Sequence, residues 1–411
     1  MVFYIESYGC QMNEYDSRLI ASILAAEGHE ETDDPLRADV VLVNTCSVRA
    51  RAEERVLGRL RHLRGLIAST ASLGVVGCVA QRLGGRLLRE VRGLDFVVGT
   101  DCYDRLPAVL DEVRSGSKST ETDVRPDQLY EGRPPASGAA ISGFVTAMRG
   151  CDNFCAYCIV PYVRGRERSR PARAVIEEIE QLVGLGTRDV TLLGQNVNSY
   201  RDGGCDFAGL LERADRVPGI ERIRFATSHP KDLTGRLIDA VASLGKVCEH
   251  VHLPVQSGSD RVLAAMGRGY GRDDYLRLVG RLRAMVPGIA LTTDVLVGFP
   301  GETERDFEAT LELMEQVRFD SAFMFRYSVR EGTAAASLDD DVPEPEKIER
   351  LTRTIALQKR TTEELNRASV GTVVEVQRND KARAPAFVLR IDFGAAYGER
   401  QSSAQLTENY D

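Results

Sequence analysis

No apolar run in the chain approaches the roughly 18 residues needed to cross a bilayer, which excludes a transmembrane helix. The opening residues, MVFYIESYGC, lack the basic and apolar regions of a secretory signal and read instead as a first strand. A cytoplasmic protein is therefore expected. Histidine is scarce, with 5 in the chain. A lone histidine is more often structural than catalytic, and no general base is assigned. The net charge of −8 excludes a polybasic, histone-like protein. It leaves room for a nucleic-acid partner met by a local basic patch. Cysteine, by contrast, is plentiful at 9 residues. In a reducing compartment disulfides are rare, so clustered thiols point to metal or redox chemistry.

The 411 residues are enough for two or three domains, each with its own core. Over residues 1–114, short apolar runs (FYI, DVVLVN, LGVVG, DFVVG) alternate with helical segments such as SRLIASILAAEG, RAEERVLGRLRHLRGL and QRLGGRLLREV. That order predicts an open parallel sheet with helical crossovers, its strands covered on both faces. Residues 115–141 are rich in Ser, Gly and Pro and read as a linker. From 142 to 367 a second series follows, with strands expected at FVTAM, VTLLG, RIRFA, HVHLPV, ALTTDVLVG and SAFMFRYS. Six strand–helix units predict a partial (β/α)6 barrel with its chemistry at the C-terminal strand ends. Residues 368–411 begin with a strand, SVGTVVEVQ, and FVLRIDF offers another, while QSSAQLTENYD looks unstructured.

Cys151, Cys155 and Cys158 stand at x3 and x2 spacing just after the first strand of that second series. Three thiolates within eight residues suit three irons of one cubane, because iron–sulfur sites want soft sulfur donors. No fourth cysteine is near, so one iron stays open for a ligand. This is the logic of enzymes that reductively cleave S-adenosylmethionine. A structural zinc knuckle would need a fourth ligand that is missing, and a chance cluster of buried thiols would not need this spacing. Cys10, Cys46 and Cys78 are scattered in sequence, yet each directly follows an apolar strand and precedes a helix. All three therefore fall on the C-terminal edge of a parallel sheet, where open α/β folds place their ligands. One such cysteine would read as a small core residue; three in the same slot read as a second three-thiolate site. Cys102, Cys205 and Cys248 share no pattern and read as structural.

Other polar residues at strand ends are candidates for cofactor or substrate contact. They are Tyr157, Gln195, Asn196, Asn198, Ser228, His229 and Gln256, each with a plainer reading as loop packing or capping. Gly298 and Gly301, in GFPGE, permit close backbone approach to a nucleoside, or simply make a tight strand-to-helix turn with Thr303 capping the helix. Arg164, Arg166, Arg168, Arg170 and Arg173 follow the cysteine loop. A solvated charge run is the default for such density; its position suggests phosphate or tRNA contact.

Several long motifs carry a resemblance. SYGCQMNEYDS, NTCSVRARAEE, GCVAQR, GCDNFCAYCIVPYVRGRERSRP, LLGQNVNSY, ATSHP, HLPVQSGSDRVLAAMGRGY, LTTDVLVGFPGETERDF and FRYSVREGT resemble the methylthiotransferase family of radical S-adenosylmethionine enzymes. LLGQNVNSY and the arginine-bearing stretch favour the branch that acts on N(6)-isopentenyladenosine of tRNA. The relatives that modify threonylcarbamoyl adenosine or a ribosomal-protein aspartate remain alternatives, as does, outside the class, a nucleic-acid-binding protein with structural metal sites.

The resemblance implies two [4Fe–4S] clusters and two uses of S-adenosylmethionine, one to methylate sulfur at the N-terminal cluster and one to make a 5′-deoxyadenosyl radical. That radical would take hydrogen from C2 of the adenine at tRNA position 37, where no side-chain base is strong enough. Expected partners are tRNA, S-adenosylmethionine and a one-electron reductant, with no membrane and the chain acting as a monomer. The family ends in a small tRNA-gripping β-barrel. Here residues 368–411 imply only a partial or divergent version, since nothing from Asn379 onward matches.

Overall fold

The computed structural model describes residues 1–47, 50–132, 140–371, 373–377 and 388–392. These form two compact units. The first comprises residues 1–139, 143–227 and 328–337. Its N-terminal part runs β1 (Val2–Tyr8), α1 (Gln11–Ala26), β2 (Glu30–Glu31), β3 (Val40–Thr45), α2 (Ala50–Leu66), β4 (Ser72–Gly77), α3 (Cys78–Leu83), α4 (Gly85–Glu90), β5 (Phe96–Val98), α5 (Leu106–Arg114) and β6 (Ser119–Glu121). The strands make one parallel sheet in the order β2-β1-β3-β4-β5-β6.

Strand β3 shows why its sequence, VVLVNT, has no polar alternation. Val40 and Leu42 pack with Leu19, Ile20 and Leu106 on one face. Val41 and Val43 pack with Val56, Leu60 and Leu63 on the other. A strand buried on both faces needs apolar residues at successive positions.

Two expectations are corrected. QRLGGRLLREV is not one helix, because the chain breaks at Gly84 between α3 and α4. Nor is 115–141 wholly a linker. Ser119–Glu121 adds the sheet's edge strand beside β5, and Tyr130 is buried, its hydroxyl donating to the Thr100 carbonyl at 3.0 Å. Polar residues can form an edge strand because the backbone makes the pairing, so composition alone hid it.

The same unit continues with β7 (Ser142–Thr146), β8 (Met148–Arg149), α6 (Val160–Arg164), β9 (Arg168–Ser169), α7 (Ala172–Gly184), β10 (Asp189–Leu193), β11 (Arg201–Asp202), β12 (Cys205–Asp206), α8 (Phe207–Asp215) and β13 (Arg222–Phe225). Strands order as β13-β10-β7, with β8 and β9 paired antiparallel. The cysteine-bearing loop leaves β8 and returns through α6 to β9, so this short ribbon ties its two ends together.

The second unit comprises the described residues within 140–142, 228–327 and 338–411. It contains α9 (Gly235–Ser243), β14 (His250–His252), α10 (Asp260–Ala265), α11 (Arg272–Met285), β15 (Ala290–Val297), α12 (Glu304–Val317), β16 (Ser321–Arg326) and the long α13 (Glu344–Ala368). Its strands β14, β15 and β16 are parallel neighbours. Thr303 caps α12, its hydroxyl accepting from the Asp306 amide at 3.3 Å. All six strands expected after residue 142 are thus present, three in each unit. At the end, β17 (Val373–Gln377) and β18 (Val388–Asp392) pair antiparallel; the QSSAQLTENYD segment lies outside the described residues. Among the described residues no helix is long and apolar enough to cross a membrane.

Candidate metal centres

Cys151, Cys155 and Cys158 lie on the loop between β8 and α6. Cys151 and Cys155 are buried and Cys158 is half-buried. A turn closed by the Cys158 amide on the Cys155 carbonyl at 2.9 Å brings the last two together. The start of the loop is pinned from β10, where Gln195 Oε1 accepts the Gly150 amide at 2.6 Å. Beside it, Asn196 is buried and donates to Glu167 at 3.2 Å. Glu167 and Asp152 exchange backbone-to-carboxylate bonds across the loop, at 3.3 and 3.0 Å. Gln195 and Asn196 therefore lie at the cysteine loop, and both brace it. Tyr157 is half-buried in the same loop. Burial pushes the Cys151 thiol up to about 11, a strain that metal ligation relieves by removing the proton outright.

The second triad is assembled by topology. Cys10 stands at the N-cap of α1 after β1, Cys46 follows β3, and Cys78 begins α3 after β4. In the sheet order these strands are adjacent, β1-β3-β4. Gly9 sits so close to Cys46 that a Cβ there would lie 2.6 Å from the Cys46 Cβ. Gly77 has φ +92° and packs on Asn44 and Thr45. Asn13 and Asn44 hold the two strand ends together: Asn13 Nδ2 donates to Asn44 Oδ1 and to the Thr45 carbonyl, both at 3.1 Å. Asn13 Oδ1 also accepts the Cys10 amide at 3.4 Å.

Cys46 and Cys78 are buried, whereas Cys10 reaches the surface. A hydrogen bond from Cys46 lowers the Cys10 thiol, with the Arg164 charge adding to the effect. Burial pushes Cys78 up, against the pull of Arg164. Among the described residues no three Cys, His, Asp or Glu side chains converge on a single-ion position. A cubane does not ask for that, since each thiolate takes a different iron. Soft sulfur donors on three adjacent strand ends fit such a cluster and would not suit a hard cation.

The arginines divide. Arg164 and Arg170 are buried, at 3% and 4% exposure. Arg164 pairs with Asp16 at 2.7 Å, and Arg170 pairs with Glu178 at 2.6 Å. Arg168 makes a two-pronged pair with Asp101, at 3.0 and 3.1 Å. Contact with tRNA is thereby withdrawn for these three: their guanidinium groups are spent on interior carboxylates far apart in sequence. Arg166 alone of the four is exposed, at 72% of its side chain, pairing with Asp152 at 2.9 Å. It also lies 5.2 Å from the Phe154 ring, which meets Tyr162 edge-on at 5.9 Å. Arg173, exposed as well, pairs with Glu177 on its own helix. Sequence reasoning passed over Asp16, Asn13, Asn44 and Arg149; the one signal available was that glycine precedes cysteine at Gly9 and again at Gly77.

In the second unit, Ser228, His229 and Gln256 are buried. The Ser228 hydroxyl has no hydrogen-bond partner among the described residues. Gln256 holds φ +68°, at an isolated bridge to Val295. Gly298 and Gly301 lie in the turn between β15 and α12. Their amides are already taken, by Glu302 Oε2 and Asp341 Oδ1, both at 2.6 Å. A Cβ on Gly298 would strike Lys347 at 2.4 Å, so it is a side chain that needs the room.

A three-cysteine loop after the first strand of a strand–helix series defines a radical S-adenosylmethionine enzyme, and the radical SAM superfamily pattern matches residues 145–314. Residues 2–99 match the uncharacterized protein family UPF0004. Among solved structures, the radical S-adenosylmethionine methyltransferase TsrM from Kitasatospora setae has a TM-score of 0.62 at 16% identity, covering 82% of this chain and 74% of that one. The cobalamin-dependent radical enzyme OxsB has a TM-score of 0.56 at 12% identity, covering 97% and 65%. At such identities these report the fold alone. A tRNA-2-methylthio-N(6)-dimethylallyladenosine synthase from Geobacter sulfurreducens is 50% identical over 376 residues, 90% of this chain and 84% of that protein. The one from Syntrophus aciditrophicus is 48% identical over 381 residues, 91% and 82%. This chain belongs to their family, the radical S-adenosylmethionine methylthiotransferases. Family membership brings a [4Fe–4S] cluster and S-adenosylmethionine as cofactors.

Proposed function

We propose that the chain inserts a methylthio group at C2 of N(6)-isopentenyladenosine at position 37 of tRNA, in the cytoplasm and as a monomer. Two [4Fe–4S] clusters would be held, on Cys151, Cys155 and Cys158 and on Cys10, Cys46 and Cys78. The observation that carries this reading is the second triad on adjacent strand ends: three thiolates there would leave one iron of a second cluster open to carry the sulfur that is inserted. Bound there, the clusters supply one-electron reduction of S-adenosylmethionine, with the electron from an external reductant, and an iron site for sulfur.

The protein's own part is positional. Gln195 and Asn196 fix the cysteine loop. Tyr157, in the first unit, is offered to the adenine of S-adenosylmethionine; in the second, the Ser228 hydroxyl, buried with no hydrogen-bond partner among the described residues, and Gln256 are candidates for cofactor or substrate contact. Arg166, with the Phe154 ring behind it, presents a cation and an aromatic face of the kind that meets RNA phosphate and base. The test is nucleoside mass spectrometry of tRNA from a deletion strain. Loss of the methylthio-isopentenyl nucleoside, restored by the gene, is expected. Unchanged levels reject the reading.

A further inference from the structure

Arg164 ends α6, beyond the cysteine loop, yet its guanidinium is buried against the N-terminal triad. Nη2 lies 2.7 Å from Asp16 Oδ2, and Nε donates to Cys78 Sγ at 3.3 Å. Asp16 also receives the Tyr103 hydroxyl at 3.1 Å and faces Arg149 Nη2 at 3.4 Å. Arg149 in turn donates to the Thr100 carbonyl at 3.1 Å and stacks 5.0 Å from the Tyr130 ring. Two buried cations thus share one buried carboxylate, leaving, among the described residues, one positive charge in excess beside the cysteines. Buried charge is costly unless it is paired. Arg164 Nη1 is also buried with no hydrogen-bond partner among the described residues. A neutral thiol is a weak acceptor and cannot balance this charge; cysteine thiolates ligating iron can.

We infer that Arg164 is a positioning residue for the N-terminal cluster: its Nε–H holds the Cys78 ligand sulfur, and its charge, offset by Asp16, sets that cluster's reduction potential. This rests on the reading that Cys10, Cys46 and Cys78 ligate a cluster. A cation and a hydrogen bond at a ligand sulfur favour the reduced, more negative state, and so raise the potential.

The test uses the full chain with Cys151, Cys155 and Cys158 all replaced by Ala, reconstituted anaerobically and titrated by electron paramagnetic resonance. About four irons are expected; none would overturn the underlying reading by itself. With the cluster present, R164M should lower the potential by at least tenfold in the reduction equilibrium, about 59 mV for one electron. R164K should recover part of that shift. D16N, which breaks the same ion pair, should move the potential up. A purely structural pair would depress thermal stability in both variants and leave the potential of the assembled cluster unmoved, which would overturn the inference. Where R164M fails to fold, the upward shift of D16N decides: present, it sustains the inference; absent, it overturns it.

Discussion

Arg170 and Glu178 face each other at 2.6 Å inside the protein, while Arg166, four residues earlier, stands in solvent beside Asp152. One basic motif thus serves two unlike ends. The Arg170 pair is completed by the Thr146 carbonyl, which accepts from Nη1 at 2.8 Å.

Substitution should separate these roles. R170M strands Glu178 as a buried, unpaired carboxylate and should cost about 3–5 kcal/mol of stability. R166A removes an exposed cation, so stability should hold within about 0.5 kcal/mol. Affinity for an anticodon stem-loop should fall, with the salt dependence of binding reduced by about one phosphate contact. Thermal unfolding and filter binding across a salt series check both. An R166A protein that binds RNA with an unchanged salt slope would remove Arg166 from the interface.

The two cysteine triads should fail independently. The C10A protein is expected to retain reductive cleavage of S-adenosylmethionine and lose methylthio transfer, with its iron falling from about eight toward about four. C155A should lose cleavage altogether. Iron counting and product chromatography on anaerobically reconstituted protein measure each; loss of cleavage in C10A would argue against separate jobs.

Gly77 tests the way the N-terminal triad is built. Its φ of +92° disfavours any side chain, and a Cβ would sit 2.5 Å from Asn44 Oδ1 and 2.7 Å from the Thr45 carbonyl. G77A should cost about 1–3 kcal/mol in strain and shift Cys78 off its strand end. The expected result is a lowered melting temperature with iron lost from the N-terminal site, while cleavage of S-adenosylmethionine persists.

His229 gives a pH dependence. It is buried, its Nδ1 accepting the Lys231 amide at 3.3 Å, and burial followed by the charges of Arg268 and Lys231 drives its pKa down to about 2. The unfolded state, titrating near 6.5, therefore binds the proton first. Stability from this group is present above about pH 6.5 and is lost as pH falls below it, by about 2 kcal/mol at pH 5. H229N should show a correspondingly smaller drop in melting temperature between pH 7 and pH 5. Equal drops in both proteins would contradict the assignment.

Much of this was legible in one dimension. Cys151, Cys155 and Cys158 point to a cluster through spacing alone, because a short loop bounds how far its ligands can lie apart. The strands declare themselves as well, since VVLVN or ALTTDVLV must be covered on both faces or paired. Even the second triad could be suspected, as Cys10, Cys46 and Cys78 each end a strand, and parallel strands end on one edge.

The tertiary structure alone decided which charges meet water. Arg164, Arg166, Arg168 and Arg170 look alike in sequence. Their fates depend on Asp16, Asp101 and Glu178, which the fold delivers to three of them and withholds from one. It likewise decided that Gly298 and Gly301 answer to Glu302, Lys347 and Asp341, and that polar Ser119–Glu121 joins the sheet. Spacing and periodicity are properties of a chain. Burial and pairing are properties of what packs against it, and spacing along the chain does not say which segments those will be.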